Sequence, residues 1–395
     1  MVTAAIRDVE LGRTVVERVS DYSQCVAGNI LADCALTFAV GLTRVLLVVP
    51  TSEGDQPGRI MLGTLRVARG LTQSQLARTA GVSQAILSKA ESGLTQLDEA
   101  KLASLAQHLR APVGLLTLPV SLVGAAPYVF HRKRSTLPIS MVNQLRAELD
   151  LVHLQVAAIV GDRVPVRIGR IPLPEDGYLS PEEVADAVRS ELGLSRPGPV
   201  ANLVGELEAA GMAVLCRPLG STKLDAMVSW PPGRRPVVLL GDHAPGDRQR
   251  FSVAHELGHA VMHDVPTEEQ ESEADRFASE LLMPRAGIAG SLDNLTVPRL
   301  AKLKAEWGVS MAALVRRARD LGRLSDSQYR QMNIEFSRAG YRTREPVEVP
   351  IDSPSLVRSV VDRRLASGDS VQELAREALM NEDEFCKVYL DGGAS

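Results

Sequence analysis

Apolar residues recur every three to four positions through most of the chain after residue 60, which is the spacing of helices that bury one face. Between Met61 and Leu116 this pattern predicts five short helices whose ends carry cap residues. Thr72 and Gln75 form a capping box, Gly81 suits a left-handed turn, and Ser83 caps the third helix. One small core is expected from the apolar residues of this segment, which are Leu65, Leu71, Leu76, Ala77, Val82, Ile86 and Leu94.

The rest of the chain combines further helices with short β-type runs. A long helix is predicted from Met141 to Val160, and the runs at residues 212–216, 224–230 and 236–240 predict a small antiparallel sheet. Helical patterns return after residue 246, with Asp247 as a candidate cap, and continue to residue 390. The predicted fold class is therefore α+β and mostly helical, with an all-α N-terminal domain, a mixed domain and a helical C-terminal tail.

Two linkers indicate where the domains meet, a Gly/Pro/Ser-rich stretch at residues 51–59 and a second stretch at residues 346–354. The tail, which has only a weak helix-turn-helix pattern, is interpreted as a packing or dimerisation module. Met61 is a candidate alternative start site. The predicted division is an extension and linker at 1–59, a helical domain at 60–118, a connector at 119–195, the mixed domain at 196–346 and the tail at 347–395.

The main chemical motif is the segment from Phe251 to Pro284, which contains His255, Glu256 and His259. Residues four apart lie on one face of a helix, so the two imidazoles can bind one metal ion. Glu256 leans toward the same ion and can take a proton from its water. The surrounding helix is largely apolar, so these residues are expected to be buried, where polar groups without partners are costly. The alternative is a surface histidine pair with no metal.

A catalytic zinc site usually has a third protein ligand. Glu271 and Asp275 are again four apart, on a second helix. We assign Glu271 as the third ligand and expect the Asp275 carboxylate to hold the free N–H of a ligand histidine. Glu269 and Glu273 remain alternatives for the third ligand. His263 is either a further ligand or a hydrogen-bonded core histidine, and we favour the second interpretation.

The runs HELGHAVMH and ESEADRFASELLMP resemble the ImmA/IrrE metallopeptidases, and the similarity extends from about Val200 to Pro346, including GYRTREP near its end. The resemblance implies a zincin-like domain with one zinc ion per chain, held by His255, His259 and Glu271. It also implies that Glu256 is the catalytic base. The substrate implied by the family is a repressor protein of the helix-turn-helix type.

The run LTQSQLARTAGVSQAILSKAESG is similar to the XRE and lambda-repressor-like helix-turn-helix family. This resemblance implies that the third helix enters the major groove of a double-stranded DNA operator. The outward residues of that helix are Gln84, Ala85, Ser88 and Lys89, and Gln73 can meet a phosphate at the start of the second helix. A small helical protein-binding module is the alternative.

Composition places limits on the partners. A net charge of −4 with 45% apolar and 23% charged residues is ordinary for a soluble protein, so any DNA-binding surface must be local. The apolar run at 35–50 is short for a membrane span and Arg44 interrupts it, so no membrane contact is expected. The absence of a close cysteine pattern fits a reducing cytoplasm. The four cysteines are Cys25, Cys34, Cys216 and Cys386.

These features predict a cytoplasmic DNA-binding transcriptional regulator with a zinc endopeptidase domain, which cleaves a repressor during a stress or mobile-element response. A homodimer is a further expectation. His243, Arg250 and Tyr178 are candidates for the group that stabilises the oxyanion. The alternative function is a transcription factor whose C-terminal domain senses a ligand or metal without peptidase activity. A third and weaker interpretation is a binding protein of the antitoxin type.

Overall fold

Two short strands are described near the N-terminus, where β1 (Ala5–Arg7) pairs antiparallel with β2 (Thr14–Val16). The remainder of the predicted extension, with Cys25 and Cys34, lies outside the described residues. The described residues from 61 onward belong to one compact unit. The computed structural model describes residues 5–7, 14–16, 61–118, 137–173, 179–195, 197–264 and 267–391.

Five helices form what we define as the N-terminal helix-turn-helix unit, residues 61–118. They are α1 (Met61–Ala68), α2 (Gln73–Thr79), α3 (Gln84–Glu91), α4 (Glu99–Leu109) and α5 (Val113–Leu116). The Gln75 N–H donates to Thr72 Oγ1 at 3.2 Å, and Gln75 Oε1 accepts from the Thr72 N–H at 2.8 Å. Gly81 has a φ of +67°, and Ser83 caps α3 through the Ile86 N–H. The predicted capping box and turn are confirmed.

Two residues that were expected in the core of this unit are instead exposed, Ile86 at 38% and Leu94 at 78%. Leu87 is fully buried. The reason is helical geometry: the core-facing positions of α3 are Leu87 and Ala90, three residues apart, so Ile86 lies on the outer face. Leu94 lies beyond the end of α3, in the turn that follows the left-handed Gly93.

Nine helices follow along the described chain before the tail. They are α6 (Ile139–Ile159), α7 (Pro181–Glu191), α8 (Leu203–Ala209), α9 (Gly246–Met262), α10 (Gln270–Leu282), α11 (Arg285–Ile288), α12 (Val297–Trp307), α13 (Met311–Asp320) and α14 (Asp326–Arg338). The long α6 agrees closely with its predicted bounds. Within the described residues, no helix combines the length and the apolar character that crossing a membrane requires.

The sheet contains β3 (Ala213–Cys216), β4 (Ala226–Ser229) and β5 (Val237–Leu240), in the order β3-β5-β4. The β4–β5 pair is antiparallel, as predicted, but β3 and β5 are parallel. The prediction of an antiparallel sheet is therefore wrong for one pair, and the sheet is mixed. The residue pattern of a four-residue strand indicates that it is a strand, but it does not indicate which strand pairs with it or in which direction.

Alternate residues of the sheet face two helical layers. One face, with Val214, Ala226 and Val238, packs into the same apolar cluster as α9. The other face, with Leu215 and Met227, packs into a cluster with α6. The sheet is thus buried on both sides, and α9 lies directly beneath β4 and β5.

The tail repeats the helix-turn-helix unit at a constant distance along the chain. The sequence Leu-Ala-Arg occurs at residues 76–78 and again at residues 374–376, 298 positions later. The tail helices are α15 (Leu356–Ala366), α16 (Val371–Glu377) and α17 (Glu382–Phe385), followed by a π-helical turn at Cys386–Leu390. We call residues 356–390 the C-terminal helix-turn-helix unit.

The local structure of the two units agrees at the same offset. Ser370 and Glu373 form a capping box, as Thr72 and Gln75 do. Leu379 adopts a φ of +55° where Gly81 has +67°, a conformation that is rare for leucine. The residues at five equivalent core positions are buried in both units, and these pairs are Leu76/Leu374, Ala77/Ala375, Ala80/Ala378, Val82/Met380 and Leu87/Phe385.

Candidate metal site and DNA-binding surface

The two histidines of the motif lie one turn apart on α9 and face the same point. Each is 2% exposed, and their Nε2 atoms are 3.1 Å apart. Glu256 follows His255 on the same helix and is 7% exposed. The apolar residues of α9 pack with the sheet and with Phe277 of α10, so the polar side chains of α9 are enclosed by packed elements.

Glu271 of α10 completes a cluster with the two histidines. Its carboxylate oxygens lie 3.7 Å from His255 Nε2 and 3.6 Å from His259 Nε2. One donor atom from each of the three residues lies within 4.8 Å of the others. Tetrahedral bonds of about 2.0–2.1 Å to a shared zinc ion would separate such donors by roughly 3.3 Å, so this donor set fits zinc.

Asp275 determines which nitrogen of His255 can bind a metal. Its Oδ1 lies 2.8 Å from His255 Nδ1, and its Oδ2 accepts from Arg316 Nη1 at 3.0 Å. An ionised carboxylate only accepts hydrogen bonds, so the proton of His255 is on Nδ1 and the lone pair of Nε2 points toward Glu271.

A second series of contacts determines which ring nitrogen of His259 can bind a metal. His263 Nε2 lies 3.0 Å from Glu273 Oε2, and His263 Nδ1 lies 2.9 Å from His259 Nδ1. With Glu273 accepting, His263 accepts in turn from His259 Nδ1–H, and the lone pair of His259 Nε2 points into the cluster. Burial lowers the pKa of His263, against the opposing effect of Glu273, which favours the neutral ring this chain needs. His263 therefore lies behind a ligand candidate.

This proton arrangement is itself a reason to expect a cation. With the tautomers inferred above, two imidazole lone pairs face one another at 3.1 Å with carboxylate oxygens nearby. Such a cluster of acceptors is unfavourable unless a positive charge lies among them. The alternative ligand Glu273 is occupied by His263, and Glu269 is an exposed residue at the start of α10 outside the cluster.

The helix pair that carries the cluster packs closely at a glycine. A Cβ atom on Gly258 would lie 2.8 Å from Cδ1 of Phe277, whose ring is fully buried between α9 and α10. The absent side chain at this position therefore sets the distance between the two helices, and with it the distance from Glu271 to the histidines.

Buried ion pairs hold the same helices to the rest of the domain. Lys304 of α12 pairs with Asp247 of α9 at 2.5 Å and with Glu345 at 2.8 Å. The prediction that Asp247 caps α9 is wrong, because Pro245 occupies the cap position and Asp247 is used by Lys304. In addition, Glu280 of α10 forms a buried ion pair with Arg317 of α13.

The candidates for the oxyanion group are placed differently by the structure. Arg250 is buried and donates hydrogen bonds to the Val200 carbonyl at 2.9 Å and to Asp352 at 2.7 Å. It therefore holds the predicted linker at residues 346–354 in place. His243 lies 3.1 Å from Asp225, which also accepts from Ser252, one turn before Glu256. Tyr178 lies outside the described residues.

The proposed recognition helix α3 presents most of the expected residues to solvent. Gln84, Ala85 and Lys89 are exposed and Ser88 is half-buried. Gln84 accepts a hydrogen bond from Ser74 at 3.0 Å, which fixes α3 against α2. This face has no covering element in the described residues that would prevent it from approaching a major groove.

The positive charge on this unit is less available than its sequence suggests. Arg66 pairs with Glu91 at 2.6 Å, and Gln73 donates to the same carboxylate at 2.8 Å. This hydrogen bond holds the side-chain amide of Gln73, at the start of α2, against Glu91. Arg69 pairs with Glu384 of the tail at 2.6 Å.

Several functional contacts were not visible in the sequence. Arg316 pairs with Asp275, and His263 pairs with Glu273. Each pair joins residues from different elements, and the spacing of apolar residues within one helix does not predict such a contact. Glu345 was visible only as part of the GYRTREP run, and its role in binding Lys304 and the N–H of Met311 required the fold.

Comparison with known protein families agrees with both halves of this description. Residues 207–319 match the IrrE N-terminal-like domain of the M78 peptidases, and residues 62–116 match the helix-turn-helix family. A search of curated proteins found no match.

Proposed function

Because this chain joins an XRE-type helix-turn-helix domain to an IrrE N-terminal-like domain of the M78 peptidases, we propose that it is a DNA-binding regulator with a zinc-dependent endopeptidase site. The observation that carries the peptidase proposal is the convergence of His255, His259 and Glu271 beside Glu256. We assign the first three as zinc ligands, Glu256 as the base and Asp275 as the residue that orients His255.

The chain's own residues have separate tasks in this proposal. Zinc held by the three ligands would polarise the peptide carbonyl and lower the pKa of a water molecule toward neutrality. Glu256, nearly buried, accepts the proton of that water on its carboxylate and then delivers it to the nitrogen of the leaving amine. The burial of the site limits competing hydrogen bonds from bulk water.

We infer that the substrate binds as an extended peptide segment. β4 is an edge strand that pairs only with β5 among the described strands, and it packs directly on α9. A substrate strand added to this edge would run past the metal site and satisfy its backbone groups on β4. Asp225, immediately before β4, lies within 3.3 Å of Ser252, one turn from Glu256.

The substrate class we propose is a helix-turn-helix repressor, and the regulatory context is a stress or mobile-element response in the cytoplasm. The presence of a DNA-binding unit in the same chain supports regulation over general digestion. Gln84, Ala85, Ser88 and Lys89 would face the bases of an operator, and Gln73 would lie near a phosphate. Binding as a homodimer would suit a palindromic operator.

The test compares the wild-type protein with Glu256→Gln in cells, by sequencing new protein N-termini. We expect cleavage products from a helix-turn-helix repressor only with the wild type. Elemental analysis of both purified proteins should give one zinc per chain, since the substitution spares the ligands. Identical products from both proteins would remove Glu256 from catalysis. Equal zinc content with no products from either would favour the alternative of a non-proteolytic sensor.

A further inference from the structure

A cavity of about 580 Å³ lies between the two helix-turn-helix units. Leu65 and Leu115 contribute from the N-terminal unit, and Met380 and Val388 contribute from the C-terminal unit. Leu151 of α6 closes another side. Its volume is typical of sites that enclose a small organic molecule, and most of these walls are apolar.

The cavity opens at the carboxyl ends of the two parallel strands. Cys216 and Leu240, the last residues of β3 and β5, both line it. Arg217 follows β3, and its backbone N–H donates to the Leu240 carbonyl at 2.8 Å. Parallel strands characteristically place ligands at this end, where the chain turns away and leaves a crevice.

Arg217 brings a cation into this cavity, where its charge acts on Glu148 and on the Tyr389 phenol, and no carboxylate of the described residues lies within ion-pair distance of it. Its Nε is buried and has no hydrogen-bond partner among the described residues. Its Nη2 reaches Gln155 Oε1 only at 3.5 Å, the outer limit of a hydrogen bond. Two other arginines that line the cavity are paired within the protein, Arg69 with Glu384 and Arg358 with Asp362.

Three acids line the same cavity, and two of them pair with other arginines, Asp352 with Arg250 and Glu384 with Arg69. The third is Glu148. Glu148 accepts from Gln144 Nε2 at 3.0 Å, and no ion pair between Glu148 and Arg217 is formed in the described part of the chain. Burial raises the pKa of Glu148, against the lowering effects of the Gln144 hydrogen bond and of the Arg217 charge. A guanidinium in this setting gains most from an anion that arrives with a ligand.

We propose that this cavity binds an amphipathic organic anion, with its carboxylate, sulfonate or phosphate group on Arg217 and its apolar body between the two helix-turn-helix units. The site is separate from the metal cluster. Because the cavity walls come from both helix-turn-helix units, a bound ligand changes how the N-terminal unit is positioned relative to the C-terminal unit. By linkage, it also changes the affinity for DNA.

The probe for this test is 1-anilinonaphthalene-8-sulfonate, an aromatic anion whose fluorescence rises in apolar surroundings. The neutral comparison is N-phenyl-1-naphthylamine, which has the same aromatic body without the sulfonate. We expect one sulfonate probe per chain, and an affinity at least roughly tenfold weaker in Arg217→Met, since a charge-assisted hydrogen bond is lost. The neutral compound should bind wild type and Arg217→Met equally.

Two further variants separate the site from general effects. Arg376→Met removes the same charge from the exposed face of α16 and should leave probe binding unchanged. Val388→Trp fills the cavity from the half-buried tail side while retaining Arg217, and should abolish binding. This variant also covers the case in which Arg217→Met fails to fold, which circular dichroism would show.

The coupling is measured on an operator selected from random-sequence duplex DNA. Saturating sulfonate probe should change operator affinity severalfold in the wild type and not in Val388→Trp. Binding of several probes per chain, or equal binding by wild type and Val388→Trp, would overturn the proposed site. An unchanged operator affinity with the probe bound would overturn the coupling.

Discussion

At the residue scale, three acids near the histidines have different partners although they lie within five consecutive residues of α10. Glu271 faces both Nε2 atoms, Glu273 faces His263, and Asp275 faces His255. The sequence identified the group, because acids four apart share a helix face. The identity of the partner of Glu273 could not be predicted, since it depends on how α10 is rotated against α9.

Replacing these acids should therefore have graded effects on zinc. Glu271→Ala should lose stoichiometric zinc, because it removes the proposed third ligand. Glu273→Ala and Asp275→Asn should each retain one zinc with an affinity about 10- to 100-fold weaker, because only the orientation of a histidine is lost. Competition with a chromophoric chelator measures all three. Zinc loss in Glu273→Ala with full retention in Glu271→Ala would show that the ligand assignment is wrong.

A different histidine should make stability depend on pH. His153 of α6 is buried, its Nε2 lies 2.9 Å from Ser229 Oγ, and burial, with Arg234, lowers its pKa from 6.5 to about 4. Between these values the unfolded chain binds a proton that the folded chain does not, so stability falls as pH decreases from 6.5 to 4. The full effect is about 3 kcal/mol.

The comparison for this prediction is His153→Gln against His108→Gln, which changes an exposed histidine. Urea unfolding between pH 7 and pH 4 should lose less stability in His153→Gln than in the wild type. The His108 variant should follow the wild type. A parallel decline in all three proteins would mean that His153 is not the titrating group.

At the element scale, the contact between α9 and α10 depends on Gly258. Gly258→Ala should destabilise the protein by roughly 1 kcal/mol, because overpacking against Phe277 costs about 1–3 kcal/mol and the gain in helix propensity offsets part of it. Zinc affinity should fall as well, since Glu271 moves with α10. Urea unfolding and chelator competition measure the two effects.

Gly114→Ala is the matched control, because an added Cβ at this helical position meets nothing within 4 Å. It should keep zinc affinity and stability, or raise stability slightly. Wild-type zinc affinity in Gly258→Ala would show that the helix separation is not limiting for the site.

The elements themselves were largely predictable, while their pairing was not. Cap residues located the starts of α2 and α3 in the sequence, because capping is decided by neighbours in the chain. The order β3-β5-β4 depends on how the connections cross the sheet. Ile86 was misplaced for a related reason: a short helix contains too few apolar positions to fix its orientation to within one residue.

At the scale of the whole molecule, the position of the tail was the least predictable feature. Its weak helix-turn-helix pattern was visible, but the correspondence is hidden by Leu379 at the position where Gly81 makes the turn. Nothing local indicates that Glu384 reaches Arg69, because the two are 315 residues apart in the chain. Helices of both units pack against α6, so this contact depends on where each unit lies along that helix.

The repeated unit provides an internal control for the DNA-binding proposal. Gln84 and Lys89 correspond to Glu382 and Lys387 at the offset of 298 residues defined by Leu76 and Leu374. The tail carries Glu382, Asp383 and Glu384 at the start of the equivalent helix, and these carboxylates would repel phosphates. Only the N-terminal unit should therefore bind an operator.

Gln84→Ala with Lys89→Ala should weaken operator binding by roughly 10- to 100-fold, because one base contact is worth about 1–3 kcal/mol and a lysine contact adds a salt-dependent contribution. Glu382→Ala with Lys387→Ala should leave operator affinity unchanged, and both double variants should keep one zinc per chain. Fluorescence anisotropy on a selected operator and elemental analysis provide the measurements. Equal weakening by both double variants would show that DNA binding involves the tail, and an unaltered affinity in the first would assign DNA recognition to a surface other than α3.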